Sequence, residues 1–150
     1  MMNTSQLHYL LTRDPFVRSQ LGGVCAADEL PLRVPYRPRV YVVNTDNRGQ
    51  PGRHWVTLYF PKKGPAEFFD SLGRAPNYYN RRRFKAVMLK NGHGYAFNKI
   101  RLQERGTLTC GHYCLYYAFH RCRGWTMNRI VTSLNVKNND AIVKTFVQSM

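Results

Sequence analysis

His54-Trp55-Val56-Thr57-Leu58-Tyr59-Phe60, then Pro61-Lys62-Lys63-Gly64-Pro65, then Glu67-Phe68-Phe69-Asp70-Ser71 is the stretch whose reading decides the fold. The first run alternates with a period of two, so His54, Val56, Leu58 and Phe60 share one face of a strand and Trp55, Thr57 and Tyr59 the other. The Pro/Gly-bounded segment is a turn, and the aromatic run after it reads as a second strand paired back as a hairpin. The hairpin would bring His54, at the start of one strand, and Asp70, at the end of the other, to one rim of a sheet.

Outward from this hairpin, Arg39–Asn44 has the β-branched and aromatic character of a further strand, and Tyr95–Gln103 looks extended. Ser5–Leu11 reads as a short capped helix stopping near Asp14-Pro15, followed by an irregular crossing in which Leu21-Gly22-Gly23 is a turn. A surface helix is expected between Asn77 and Lys90, ending at Asn91-Gly92. Cys114, Leu115, Ala118, Phe119 and Cys122 have the spacing of a buried helix face, so a helix should run from Cys110 to Arg123 and stop at Gly124; Thr126–Leu134 and Asn139–Val147 are closing helices. The expected class is α+β over one domain, residues 1–150: a small, mostly antiparallel sheet flanked by helices.

The chain carries 23 Lys+Arg against 8 Asp+Glu, a formal net charge of +15. Such a balance calls for a polyanionic partner, and nucleic acid bound without sequence preference is the expectation. Arg81, Arg82, Arg83, Lys85, Lys99, Arg101, Arg105, Arg121 and Arg123 are the candidate contacts. No apolar run approaches the length of a membrane span and no secretory signal opens the sequence, so an intracellular protein with reduced Cys25, Cys110, Cys114 and Cys122 is expected. Cys114 and Cys122 read as packing residues. The spacing of cysteines and histidines does not match a structural zinc module, and no metal site is expected.

The residues needed for thiol-nucleophile chemistry are nevertheless present. Cys110 would sit at a helix N-terminus, where unpaired N–H groups and the macrodipole favour negative charge on sulfur. Gly111 lets backbone and substrate approach closely. His54 can serve as base with Asp70 orienting it, and the Gln103 amide can donate to an oxyanion beside the Cys110 N–H.

Val43-Asn44-Thr45, Gly52-Arg53-His54-Trp55, Phe68-Phe69-Asp70-Ser71-Leu72-Gly73, and Gln103 with Cys110-Gly111 seven positions later resemble the adenovirus protease (adenain) family. The short chain looks most like relatives from adintoviruses and Polinton/Maverick elements, and Cys25–Pro31 and Thr126-Met127-Asn128 are further similar pieces. The resemblance implies a papain-like, SUMO-protease-like fold with the nucleophile at a helix N-terminus. It implies Cys110 as nucleophile, His54 as general base, Asp70 as its orienting acid and Gln103 as oxyanion donor, in an endopeptidase maturing viral structural precursors by cleavage after glycine. It further implies no cofactor for the chemistry, DNA as an activator, action as a monomer in the virion and host nucleus, and no membrane partner. A viral peptide activator would not attach by the adenovirus-type disulfide, because no cysteine lies between Cys25 and Cys110. Asp in place of the family's usual Glu is shared with SUMO-specific proteases, which leaves a ubiquitin- or SUMO-deconjugating enzyme as the alternative; an inactive DNA-binding virion protein is a third reading.

Overall fold

A computed structural model describes residues 1–135 and 137–150. Its centre is a five-stranded sheet in the order β1 (Leu21–Cys25), β2 (Arg39–Asn44), β3 (Trp55–Phe60), β4 (Ala66–Phe69), β5 (Tyr95–Phe97). The two central ladders, β2–β3 and β3–β4, are antiparallel, and the two outer ladders are parallel. The sheet is therefore mixed rather than mostly antiparallel, within an α+β architecture.

Alternation along the strands builds two cores. Val40, Val42, Trp55, Tyr59 and Phe69 face one side, where they pack with α1 (Thr4–Arg13), α2 (Pro15–Gln20), α4 (Cys110–Arg121), α5 (Met127–Leu134) and α6 (Asn139–Gln148). Tyr41, Val43, Val56, Leu58, Phe60, Ala66 and Phe68 face the other, under Phe84, Val87 and Met88 of α3 (Arg82–Gly92). The hairpin register sets Thr57 opposite Phe69, which brings the segments before β3 and after β4, and hence His54 and Asp70, to one end of the sheet.

Two elements depart from the sequence expectations. The crossing after Asp14 is the helix α2, because the Asp14 carboxylate accepts the Val17 N–H at 2.9 Å and Pro15, at the first helical position, needs no donor there. Leu21-Gly22-Gly23 is not a turn but strand β1, parallel to β2. Glycine is needed at position 22 because a Cβ there would lie 2.3 Å from the Tyr41 ring. Helix α1 is capped by Asn3 rather than Ser5, with Gln6 returning the bond, and α3 ends on His93 in the left-handed region.

Two arginines expected on a phosphate-binding face act in the core instead. Arg121 makes two bonds of 2.9 Å to the Glu67 carboxylate, which also accepts the Tyr117 hydroxyl at 2.6 Å, and its guanidinium covers the Tyr59 ring. Arg123 pairs with Asp14 at 2.5 Å and lies over Phe119. These contacts tie α4 to β4 and α4 to the α1–α2 junction. Arg121→Ala, which strands the Glu67 charge, is expected to lower unfolding stability by about 3 kcal/mol, whereas the exposed Arg82→Ala should change it by no more than about 0.5 kcal/mol. Urea denaturation of both variants checks the difference.

Candidate active site

The N-terminus of α4, the start of β3, the end of β4 and the loop before α4 converge on a cleft of about 470 Å³ whose lining includes His54, Tyr79, Gln103, Thr107 and Cys110. Cys110 is the first residue of α4, so its N–H lies outside the helical ladder. His54 Nε2–H donates to Asp70 Oδ1 at 2.7 Å. That leaves Nδ1 for Cys110, which lines the same cleft and, after Asp70, favours the charged ring. The Cys110 sulfur lies 3.5 Å from the Met1 thioether as well. Burial opposes the charged imidazole, but Asp70 and Cys110 outweigh it and push the His54 pKa up to about 9.

Asp70 is fully buried and fixed from several directions. Its Oδ1 also accepts the Leu72 N–H at 2.9 Å, and its Oδ2 accepts the Tyr79 hydroxyl. Burial and the Asp70 charge push the Tyr79 phenol up, keeping it a donor. The Tyr79 ring stacks on His54 with centroids 5.8 Å apart and planes 24° apart. Asn98 clamps the Asp70 backbone from both sides, accepting its N–H at 2.9 Å and donating to its carbonyl at 2.6 Å.

Gln103 is tied to the same turn. The Ser71 carbonyl accepts the Leu102 and Gln103 N–H groups at 2.8 and 3.0 Å, and the Ser71 hydroxyl donates to Gln103 Oε1 at 2.7 Å. This orients the amide nitrogen toward Thr107, donating to its carbonyl at 2.8 Å and its hydroxyl at 3.3 Å. Gly73 permits the union: its φ is +73°, and a Cβ there would meet the Ile100–Arg101 peptide at 2.8 Å. Asp140 at the start of α6 pins the loop before the nucleophile by accepting the Glu104 N–H, the Thr109 hydroxyl and the Tyr113 hydroxyl at 3.2, 3.1 and 2.6 Å. Burial works against its charge, yet these donors hold its carboxyl below the usual range.

The structure thus brings together all four residues singled out in the sequence, His54, Asp70, Gln103 and Cys110. It adds Tyr79, Ser71, Asn98 and Asp140, whose contacts span 9 to 36 residues and leave no local sequence signal. At Gly111 a Cβ would lie 3.2 Å from Met2 and 3.5 Å from Leu7, so the missing side chain lets the N-terminal segment pack against α4. Cys114 and Cys122 are buried packing residues. Trp55 lies in the core beneath the site, its indole N–H donating to the Met2 carbonyl at 2.9 Å. Among the basic candidates, Arg81 bonds the Thr45 carbonyl and Arg83 the Leu30 carbonyl, while Arg82, Lys85, Lys99, Arg101 and Arg105 are exposed.

Chemically, the arrangement can hold a thiol beside an imidazole that retains its proton to high pH and can pass it to a leaving amine. Protonated His54 stabilises the fold fully below its ordinary value of 6.5, and that contribution is lost as pH rises through about 9. The basic limb of the activity profile is accordingly expected near pH 9. Tyr79→Phe keeps the stacked ring but removes a donor to a charged group, a loss of about 1.5–3 kcal/mol, so kcat should fall roughly tenfold or more with KM little changed. Steady-state kinetics across pH check both expectations.

No family model matches the sequence. The chain is 30% identical over 132 residues to the cysteine protease S273R of African swine fever virus (isolate Tick/Malawi/Lil 20-1/1983), an alignment covering 78% of this chain and 46% of that protein. The crystal structure of the selenomethionyl African swine fever virus pS273R protease aligns over 74% of this chain and 44% of its own, with 26% identity and a TM-score of 0.48. The central domain of the uncharacterized Lpg1148 protein of Legionella pneumophila superimposes over 99% of this chain and 94% of its own, with 14% identity and a TM-score of 0.57, a likeness of fold. The chain spans less than half the length of the viral protease it matches, and its sequence is similar to that of a viral cysteine protease.

Proposed function

We propose that the chain is a viral cysteine endopeptidase, of the adenain-like type found in adintoviruses and Polinton/Maverick elements, that matures structural precursor proteins by cleavage after glycine. One observation carries this reading: His54, hydrogen-bonded to the buried Asp70 carboxylate, lines the same open cleft as Cys110 at the N-terminus of α4. The similarity to the African swine fever virus cysteine protease supports the same chemistry.

In the proposed reaction the Cys110 sulfur attacks as a thiolate, its proton carried by His54; the scissile C–N bond breaks and protonated His54 gives that proton to the departing amine. The acyl-enzyme is then hydrolysed by water activated by His54, with Asp70 holding the ring in register. Gln103 and the Cys110 N–H donate to the tetrahedral oxyanion. The longer Gln103 contact, to the Thr107 hydroxyl at 3.3 Å, is the one an oxyanion would replace. No cofactor is needed for these steps.

DNA association is a further part of the proposal, supported by the charge of +15 and by exposed Arg82, Lys85, Lys99 and Arg105. It would place the enzyme in the virion and host nucleus.

Cys110→Ala is expected to abolish turnover of a peptide reporter cleaved after Gly-Gly while leaving the folded state intact, and a vinyl sulfone ending in Gly-Gly should modify Cys110, as read by mass mapping. Unchanged turnover, or labelling elsewhere, would refute the assignment. DNA should raise the rate at low salt and lose that effect as salt is increased, with a binding slope of about −0.9 per phosphate neutralised on duplex DNA; a salt-insensitive rate would remove DNA from the account.

A further inference from the structure

The cationic groups around the cleft are not equivalent. Arg53, Arg74, Arg81 and Arg101 line it, against the carboxylates of Asp46 and Glu104. Asp46 neutralises two of the four: Arg53 bonds it at 3.0 Å and Arg81 lies 3.5 Å from it. Arg74 and Arg101 make no ion pair among the described residues.

Both unpaired guanidiniums are nevertheless held in place. Arg74 lies over the Tyr78 ring, its guanidinium carbon 4.2 Å from the centroid, close enough to the neighbouring Tyr79 phenol for its charge to act on it. Arg101 is fixed through Nε–H, which donates to the Gln103 carbonyl at 2.9 Å, and its terminal nitrogens remain beyond that anchor. One guanidinium therefore stands on the Tyr79 side of the cleft and the other on the Gln103 side. A guanidinium fixed in this way has already lost much of its side-chain freedom and offers a planar fork of donors matched to a carboxylate.

We infer that the cleft selects peptides carrying an acidic side chain close to the scissile bond, with Arg74 and Arg101 as the specificity-determining residues. This rests on the endopeptidase reading and adds to it the charge of the substrate. The ligand is a peptide carboxylate rather than a nucleic-acid phosphate because these two arginines line the same concavity as Cys110, into which a peptide must enter to react. At roughly 3.3 Å per residue of extended chain, an acidic residue within about three positions of the cleaved bond falls inside such a cleft.

The test uses peptide pairs sharing one Gly-Gly cleavage site and differing only by Glu or Gln at a single position, scanned along both sides of the bond. For wild type at low salt, kcat/KM should favour the Glu member about fivefold at one position or more, and high salt should bring the ratio toward one. Arg74→Gln and Arg101→Gln should each reduce the ratio, and the double variant should abolish it. Reading a ratio within each variant cancels any loss of folded or active enzyme. A wild-type ratio near one at every position, or a ratio unaffected by both substitutions, would overturn the inference.

If no peptide is cleaved, the endopeptidase reading fails, and competition binding of the same pairs to the Cys110→Ala protein decides the inference separately. A Glu preference that depends on Arg74 and Arg101 upholds it; equal binding sinks it. Binding of a single-stranded oligonucleotide that needs the same two arginines, with no discrimination between peptides, would assign them to nucleic acid and overturn it.

Discussion

The structure turns on a carboxylate that water cannot reach. A buried charge is tolerated only when its lone pairs are filled, and Asp70 fills them with the His54 Nε2–H, the Tyr79 hydroxyl and the Leu72 N–H. Each donor belongs to a different stretch of chain: the segment before β3, the short 3-10 helix Pro76–Tyr79, and the turn after β4. Satisfying one anion therefore fixes the relative positions of three segments that together wall the cleft. The Asn98 clamp and the Ser71–Gln103 bonds extend the same unit to the loop before α4.

The sheet and α4 supply the rest of the frame. Phe69, the last residue of β4, stacks on Tyr117 of α4 with centroids 4.3 Å apart, so the strand that delivers Asp70 is packed directly on the helix that delivers Cys110. Glu67 and Arg121 repeat the connection two residues and one turn away. With strand and helix joined at two points, the distance between base and nucleophile is set by a packed core rather than by loops, which suits a reaction that needs a proton donor held within hydrogen-bond reach.

Much of this was legible in local pattern. Period-two alternation in His54–Phe60 correctly assigned the two faces of β3, and the spacing of Cys114, Leu115 and Ala118 placed α4 with Cys110 at its start. What was hidden depends on contacts distant in sequence. Tyr79, Asn98 and Asp140 look like ordinary loop or helix residues until the fold brings them to Asp70 and to the loop before α4. Glycine and proline misled because their punctuation has two readings: Pro15 starts a helix, and Gly22 makes room for an aromatic ring inside a strand. The charge of +15 hid a division of labour, since the few acids, Glu67, Asp14 and Asp46, draw particular arginines into structural pairs and leave others unmatched.

By this arrangement Asp70 keeps a proton on the His54 ring beside the cleft that Cys110 also lines. Titration of the His54 ring by nitrogen and proton NMR tests it most directly, in the native chain and in Asp70→Asn. The imidazolium should persist until about pH 9 in the native protein and give up its proton at distinctly lower pH once the carboxylate is neutral. A His54 ring that titrates near its ordinary value of 6.5 in both proteins would contradict it.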